Sequence, residues 1–168
     1  MGLKEAFQEA LDFEQKGRAI YEETSKKTKN PVVAKTFSYL SEQELLHINE
    51  IKGYLEKLDD GNKVELKGDT LEDTKRFFNT TVKQFKEKAE LSDDDVKAHE
   101  TALELEQRSY GFYRGQYEQS GDEQLKRFFR WLMQQENAHY ELIQKAYSYI
   151  KDPVGFYAEE EKWIADGG

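Results

Sequence analysis

The sequence predicts an all-α protein, a four-helix bundle built from two repeated helical hairpins, and three observations carry that prediction. Only two prolines and eleven glycines interrupt 168 residues rich in Glu, Lys, Gln and Leu, a composition that favours long helices. Apolar residues recur at three- and four-residue intervals in four long segments, the period of a helix face turned to a core. The segments also come in two copies offset by 92 residues. Ala10-Leu11-Asp12-Phe13-Glu14-Gln15-Lys16 aligns with Ala102-Leu103-Glu104-Leu105-Glu106-Gln107-Arg108, and Tyr21 with Tyr113. Phe37, Leu40, Gln43, Glu44, His47 and Ile51 align with Phe129, Leu132, Gln135, Glu136, His139 and Ile143. Such self-similarity marks a duplicated supersecondary unit.

The first hairpin is expected over about residues 2–57. Its first helix carries the stripe Leu3, Phe7, Ala10, Glu14, Gly17, Tyr21. Asn30-Pro31 ends it and starts the next, with Asn30 as the N-cap and proline at the first helical position. The second stripe runs Val33, Phe37, Leu40, Glu44, His47, Ile51, Tyr54. Residues 58–91 form a crossover holding Gly68-Asp69-Thr70 and then Leu71, Phe78, Val82 and Phe85, a loop and a shorter helix. That length can run back along a helix of about 25 residues, roughly 38 Å, so the second hairpin need not follow the first antiparallel. Ser92-Asp93-Asp94-Asp95 caps the third long helix and opens the second hairpin, about 92–151, with the stripe Ala102, Leu103, Glu106, Tyr110, Tyr113, Tyr117. Asp122, in the short turn Ser120-Gly121-Asp122, caps the fourth, whose stripe is Leu125, Phe129, Leu132, Glu136, His139, Ile143, Ala146. The tail, 152–168, with Phe156, Tyr157, Trp163 and Ile164, is expected to form a short C-terminal helix on the bundle. One domain is expected at this length.

A net charge of -9, from 34 acidic against 25 basic residues, argues against nucleic acid and anionic membrane as partners. The absence of cysteine excludes disulfides, thiolate zinc sites, iron–sulfur clusters and cysteine nucleophiles in these residues. Any metal must be held by carboxylate and imidazole. The segment from Met1 to Phe13 reads as an amphipathic helix with acidic residues, unlike a leader peptide. A soluble cytoplasmic protein is the expectation.

Each stripe is interrupted near its middle by a glutamate, and in two stripes a histidine follows one turn later. A buried carboxylate without a partner costs several kcal/mol, so four in one core imply something positive among them. Glu14 lies sixteen residues before Asn30 and Glu44 fourteen after it, which puts both about 21 to 24 Å from the turn. Glu106 and Glu136 stand in the same relation to Asp122. If the hairpins pack about a pseudo-twofold axis, Glu14, Glu44, His47, Glu106, Glu136 and His139 converge on one level, where two divalent cations would neutralise four carboxylates. The Glu-x-x-His spacing, Glu44 to His47 and Glu136 to His139, sets both side chains on one face a turn apart, able to reach one ion.

The pattern of Glu14 with Tyr21, Glu44-Leu45-Leu46-His47, Glu106 with Tyr113, and Glu136-Asn137-Ala138-His139 resembles the ferritin-like superfamily. It is most similar to rubrerythrin-like non-haem diiron carboxylate proteins, over about residues 3–151. The resemblance implies a ferritin-like bundle in which Glu44 and Glu136 bridge two iron ions, Glu14 and Glu106 cap them, and His47 and His139 each ligate one. It implies reduction of hydrogen peroxide or dioxygen, with a ferroxidase of the ferritin or bacterioferritin type, or a dimanganese catalase-like protein, as alternatives. Manganese would use the same ligands. Ferritin itself fits less well, lacking the second Glu-x-x-His at its ferroxidase site. Full-length rubrerythrins carry a rubredoxin-like module on Cys-x-x-Cys pairs, absent here, so an external donor such as a rubredoxin or a reductase is implied, and a homodimer is expected. Typical rubrerythrins also have a glutamate where this chain has Leu103, which removes the basis for a ligand exchange there. Tyr21, Tyr113 and Tyr110 are candidate catalytic residues, as hydrogen-bond donors or one-electron donors beside the metals. Gly17 and Ser109 are small residues that could leave room for an oxidant. His99, two turns from Glu106, is too far to share an ion and is expected to fill the place that Phe7 fills in the first repeat.

Overall fold

The computed structural model describes residues 2–58, 66, 68–85, 91–152 and 155–156. Five helices are formed by these residues: α1 (Leu3–Lys27), α2 (Pro31–Leu58), α3 (Leu71–Gln84), α4 (Asp93–Gln119) and α5 (Glu123–Lys151). The starts follow the local chemistry. Asn30 Oδ1 accepts from the amides of Val32 and Val33, and Asp122 accepts from the amide of Gln124. Thr70 with Asp73, and Ser92 with Asp95, make reciprocal capping boxes. Lys26 and Lys27 in the last turn of α1 pair with Glu22 and Glu23 and complement the helix dipole.

The hairpins are α1–α2 and α4–α5, and they pack with α1 against α4 and α2 against α5. Thr28, just past α1, donates to Asp95 in the first turn of α4 at 2.6 Å. The crossover therefore returns the chain to the end of the bundle where the first hairpin turns, and α4 runs antiparallel to α1. The shorter helix α3 packs on α5 and α2, burying Phe78 and Val82. Among the described residues, no helix is long and apolar enough to cross a membrane.

Two apolar clusters form the core. One gathers Phe37, Leu40, Phe78, Leu142 and Ile143; the other gathers Phe7, Ile51, Tyr54, Phe128, Phe129 and Leu132. The mid-helix glutamates lie between them along each long helix. His99 is buried with its ring edge-on to Phe37 at 5.0 Å, as Phe7 meets Phe129 at 5.8 Å. It fills the place of Phe7 in the repeat. Its Nδ1–H donates to the Asp95 carbonyl at 2.7 Å, and burial holds its pKa below the ordinary value.

Some positions of the stripes differ. Leu3 is 44% exposed, because it begins α1 outside the bundle's end. In α4 the core face is His99, Ala102, Glu106, Ser109 and Tyr113, while Leu103, Tyr110 and Tyr117 are half-buried. One residue of rotation is about 100°, so these three fall on the flank beside α5. Tyr117 there accepts from Arg130 at 3.1 Å. Of the expected C-terminal helix, only Gly155 and Phe156 lie within the described residues. Phe156 packs edge-on to Phe78 and Tyr149.

Candidate metal centre

All six residues expected at the middle of the bundle are there, and all are buried. Glu14 comes from α1, Glu44 and His47 from α2, Glu106 from α4, and Glu136 and His139 from α5. Glu44, His47 and His139 bring ligand atoms together, and all six fall into two overlapping groups of four: Glu14, Glu44, His47 and Glu136, and Glu44, Glu106, Glu136 and His139. In each, one ligand atom per residue lies within 4.8 Å of all the others. Glu44 and Glu136 belong to both groups. The imidazoles of His47 and His139 stack across the centre, their centroids 5.1 Å apart.

The cluster is held by donors from the neighbouring helices. Tyr21 donates to Glu106 at 2.6 Å and Tyr113 to Glu14 at 2.7 Å, each reaching across from α1 to α4 or back. These bonds are copies of one another under the repeat. Ser109 donates to Glu136 at 2.8 Å. A Cβ at its repeat partner Gly17 would stand 3.4 Å from Glu44 Oε2. The room left by these two small residues is thus taken up by the carboxylates of Glu136 and Glu44. Tyr110 does not join the cluster in this way: it lines a cavity beside Glu106 and Glu136, and no bond from it to a carboxylate is formed.

One imidazole is locked from outside. Gln135 Nε2 donates to the Asp69 carbonyl at 2.9 Å, so its Oε1 is the acceptor facing His47 Nε2, 2.9 Å away. His47 Nε2 therefore carries hydrogen, and Nδ1 is the nitrogen turned to Glu14, 3.1 Å away, and Glu136, 3.8 Å away. An outer N–H held by an amide orients the ring and presents the other nitrogen inward, as metal-binding histidines require. The crossover is part of this lock. A Cβ on Gly68 would meet Gln135 Oε1 at 2.5 Å. Trp131 adds an edge contact to His47, 5.4 Å between centroids.

The electrostatics are those of a cluster short of positive charge. Burial, and then the neighbouring Glu14, push the Glu44 carboxyl well above its ordinary value; burial and Glu106 do the same to Glu136. Burial opposes ionisation of Glu14 as well, but the proton on Glu44 and the charge of His47 outweigh it and hold Glu14 well below the usual carboxylate range. Glu106 is likewise lowered, against its burial, by the adjacent Glu136 and His139. Burial would depress His47, yet Glu14 beside it raises its pKa. Tyr21 and Tyr113 are raised well above the ordinary phenol, first by burial and then by the carboxylates they touch.

Whether these residues suit a metal can be tested on their orphaned atoms. Glu106 Oε2, Glu136 Oε1 and His139 Nδ1 are buried with no hydrogen-bond partner. Buried polar groups in folded proteins are almost always satisfied, and three adjacent ones, all oxygen or imidazole donors, fit a hard or borderline divalent cation. The rubrerythrin family model matches residues 5–147. The chain belongs to the rubrerythrin family. No curated protein and no solved structure matches it at a significant level. Leu103 is half-buried against the apolar cluster around Phe37.

Sequence alone does not mark Gln135 or the Gly68-Asp69 segment as functional, and it reads Ser109 as room for an oxidant rather than as a donor to Glu136. Gln43 and Gln135, each one residue before a stripe glutamate in the repeat, were the available signal. Both meet Asp69 of the crossover, but only Gln135, which donates to the Asp69 carbonyl, reaches a histidine; Gln43 accepts from the Asp69 amide at 3.5 Å.

Proposed function

We propose that this rubrerythrin-family protein is a dinuclear iron peroxidase that reduces hydrogen peroxide, with dioxygen as a slower oxidant. The observation that carries the reading is the pair of overlapping ligand groups sharing Glu44 and Glu136. Two shared carboxylates suit two ions side by side, with Glu14 and His47 completing one set and Glu106 and His139 the other. Four protein donors per ion are fewer than the six that ferrous iron takes, which leaves positions for a small ligand.

When bound, the two ferrous ions supply one electron each, which with two protons convert hydrogen peroxide to two molecules of water. The chain's own residues do the rest. Tyr21 and Tyr113 keep their phenolic protons and hold Glu106 and Glu14 in place. Ser109 fixes one oxygen of Glu136, and Gln135 fixes the ring of His47. The two apolar clusters on either side keep bulk water away from the carboxylates. These residues hold no cysteine, so the reading takes its electrons from a centre outside them, such as a rubredoxin or a reductase.

Stopped-flow mixing of the anaerobic, iron-loaded, reduced protein with peroxide and with dioxygen tests this. Faster oxidation by peroxide is expected. Faster oxidation by dioxygen, with further ferrous iron consumed and ferric mineral accumulating, would replace the reading with a ferroxidase.

A further inference from the structure

The two halves of the centre are copies, but their surroundings are not. Beside α4 and α5 a cavity of about 230 Å³ is lined by Glu106, Gln107, Tyr110, Glu136, Asn137 and Tyr140. Gln107 and Asn137 are exposed, Tyr110 and Tyr140 half-buried, and Glu106 and Glu136 buried. The cavity thus descends from solvent to two carboxylates of the centre. At its rim Gln107 Nε2 donates to the Tyr140 hydroxyl at 3.2 Å, joining the two helices across the opening. Glu106 Oε2 and Glu136 Oε1, which have no hydrogen-bond partner, belong to the residues at its floor.

Under the repeat offset the same positions in the first hairpin are Glu14, Gln15, Arg18, Glu44, Leu45 and Ile48. An arginine replaces one phenol, and leucine and isoleucine replace the asparagine and the other phenol. Ile48 is buried, filling space where Tyr140 borders it. Arg18 Nε is buried without a partner.

The geometry points to a one-sided entrance to the centre, between α4 and α5, whose lining selects a small neutral hydrogen-bonding oxidant. Two amides and two phenols above the carboxylates offer donors and acceptors to a molecule such as hydrogen peroxide. They supply no carboxylate above the floor to lead a cation inward, and no lysine or arginine to hold an anion. The volume is that of several water molecules at about 30 Å³ each. Tyr110 and Tyr140 act here as residues that shape access, which gives Tyr110 a role other than hydrogen bonding to a ligand. This inference rests on the proposed diiron reading and deepens it.

Nitric oxide, a small neutral probe whose ferrous adducts absorb in the visible, measures access without turnover. It is mixed with the anaerobic, iron-loaded full chain and with paired variants related by the repeat. Gln107→Trp should slow adduct formation by about tenfold, whereas Gln15→Trp, on the mirror face, should leave it unchanged. Tyr110→Ala should speed it. If Gln107→Trp fails to load two irons, Asn137→Phe against Leu45→Phe makes the same comparison at exposed positions. Equal effects on the two faces, or a larger effect from the first hairpin, overturn the entrance. A protein that shows the asymmetry yet leaves peroxide unreduced keeps the entrance and loses the peroxidase reading; one that reduces peroxide with no asymmetry does the reverse.

Discussion

Replacing Gln135 with leucine should weaken one metal position and spare the other. The side chain bridges His47 Nε2 and the Asp69 carbonyl, each at 2.9 Å, and all of it lies outside the ligand groups. Leucine keeps much of the volume but leaves a buried imidazole N–H and a carbonyl without partners, each costing about 1 to 3 kcal/mol. Losing the outer partner of a metal-binding histidine costs about ten- to hundredfold in affinity, or about 1.4 to 2.8 kcal/mol at 1.4 kcal/mol per factor of ten. His139 has no such dependence on Gln43, which turns to the Asp69 amide instead. Anaerobic titration calorimetry with ferrous or cobaltous ion should therefore show one weakened and one unchanged event in Gln135→Leu, and two unchanged events in Gln43→Leu. Equal weakening of both events, or matching effects of the two variants, refutes the reasoning.

Further outcomes follow from the same geometry. Because Glu44, Glu136 and His47 hold protons more tightly than ordinary carboxyls and imidazoles, metal binding near neutral pH should release protons and strengthen as pH rises; calorimetry in buffers of different ionisation enthalpy measures the release, and none would contradict the proton-sharing account. By the same linkage, the stability lent to the metal-free fold by protonated Glu44 and Glu136 is full below pH 4.5, the ordinary carboxyl value, and is lost as pH rises through their raised values; metal-free melting curves at stepped pH isolate it when compared with Glu44→Gln. Saturating metal, a thousandfold above its dissociation constant, should add about 4 kcal/mol, or about 8 to 16 °C in melting temperature for a domain of this size; an unchanged melting curve is the contrary result. Tyr113→Phe removes the bond to Glu14 and should destabilise the metal-free protein by about 1.5 to 3 kcal/mol, read as a shifted urea midpoint, with Tyr21→Phe matching it through Glu106.

Much of this was legible in the chain. The repeat set Glu14 against Glu106 and the Glu-x-x-His pair of α2 against that of α5, and the caps at Asn30 and Asp122 placed them at one depth. The antiparallel setting of the hairpins was compatible with the crossover length but not dictated by it; the Thr28–Asp95 bond shows it. Periodicity places Ala102, Glu106 and Tyr113 on the α4 core face correctly but adds Leu103, Tyr110 and Tyr117 from its flank, since Tyr110 and Tyr113 are both large and only one points inward. Asymmetry was the least legible part. Gln135 and Gln43 are identical in the repeat, and nothing local tells which one will reach a histidine. The cavity at Tyr110 and Tyr140 is likewise a product of how α4 and α5 pack, invisible in either helix alone.

The most direct test of the central claim is elemental analysis of the protein reconstituted anaerobically with ferrous iron, beside Glu136→Ala/His139→Ala. Two irons per chain are expected in the parent, and loss of stoichiometric binding in the variant, which removes a shared carboxylate and the imidazole of one set. A parent that binds no iron, or a variant that keeps two, contradicts the account.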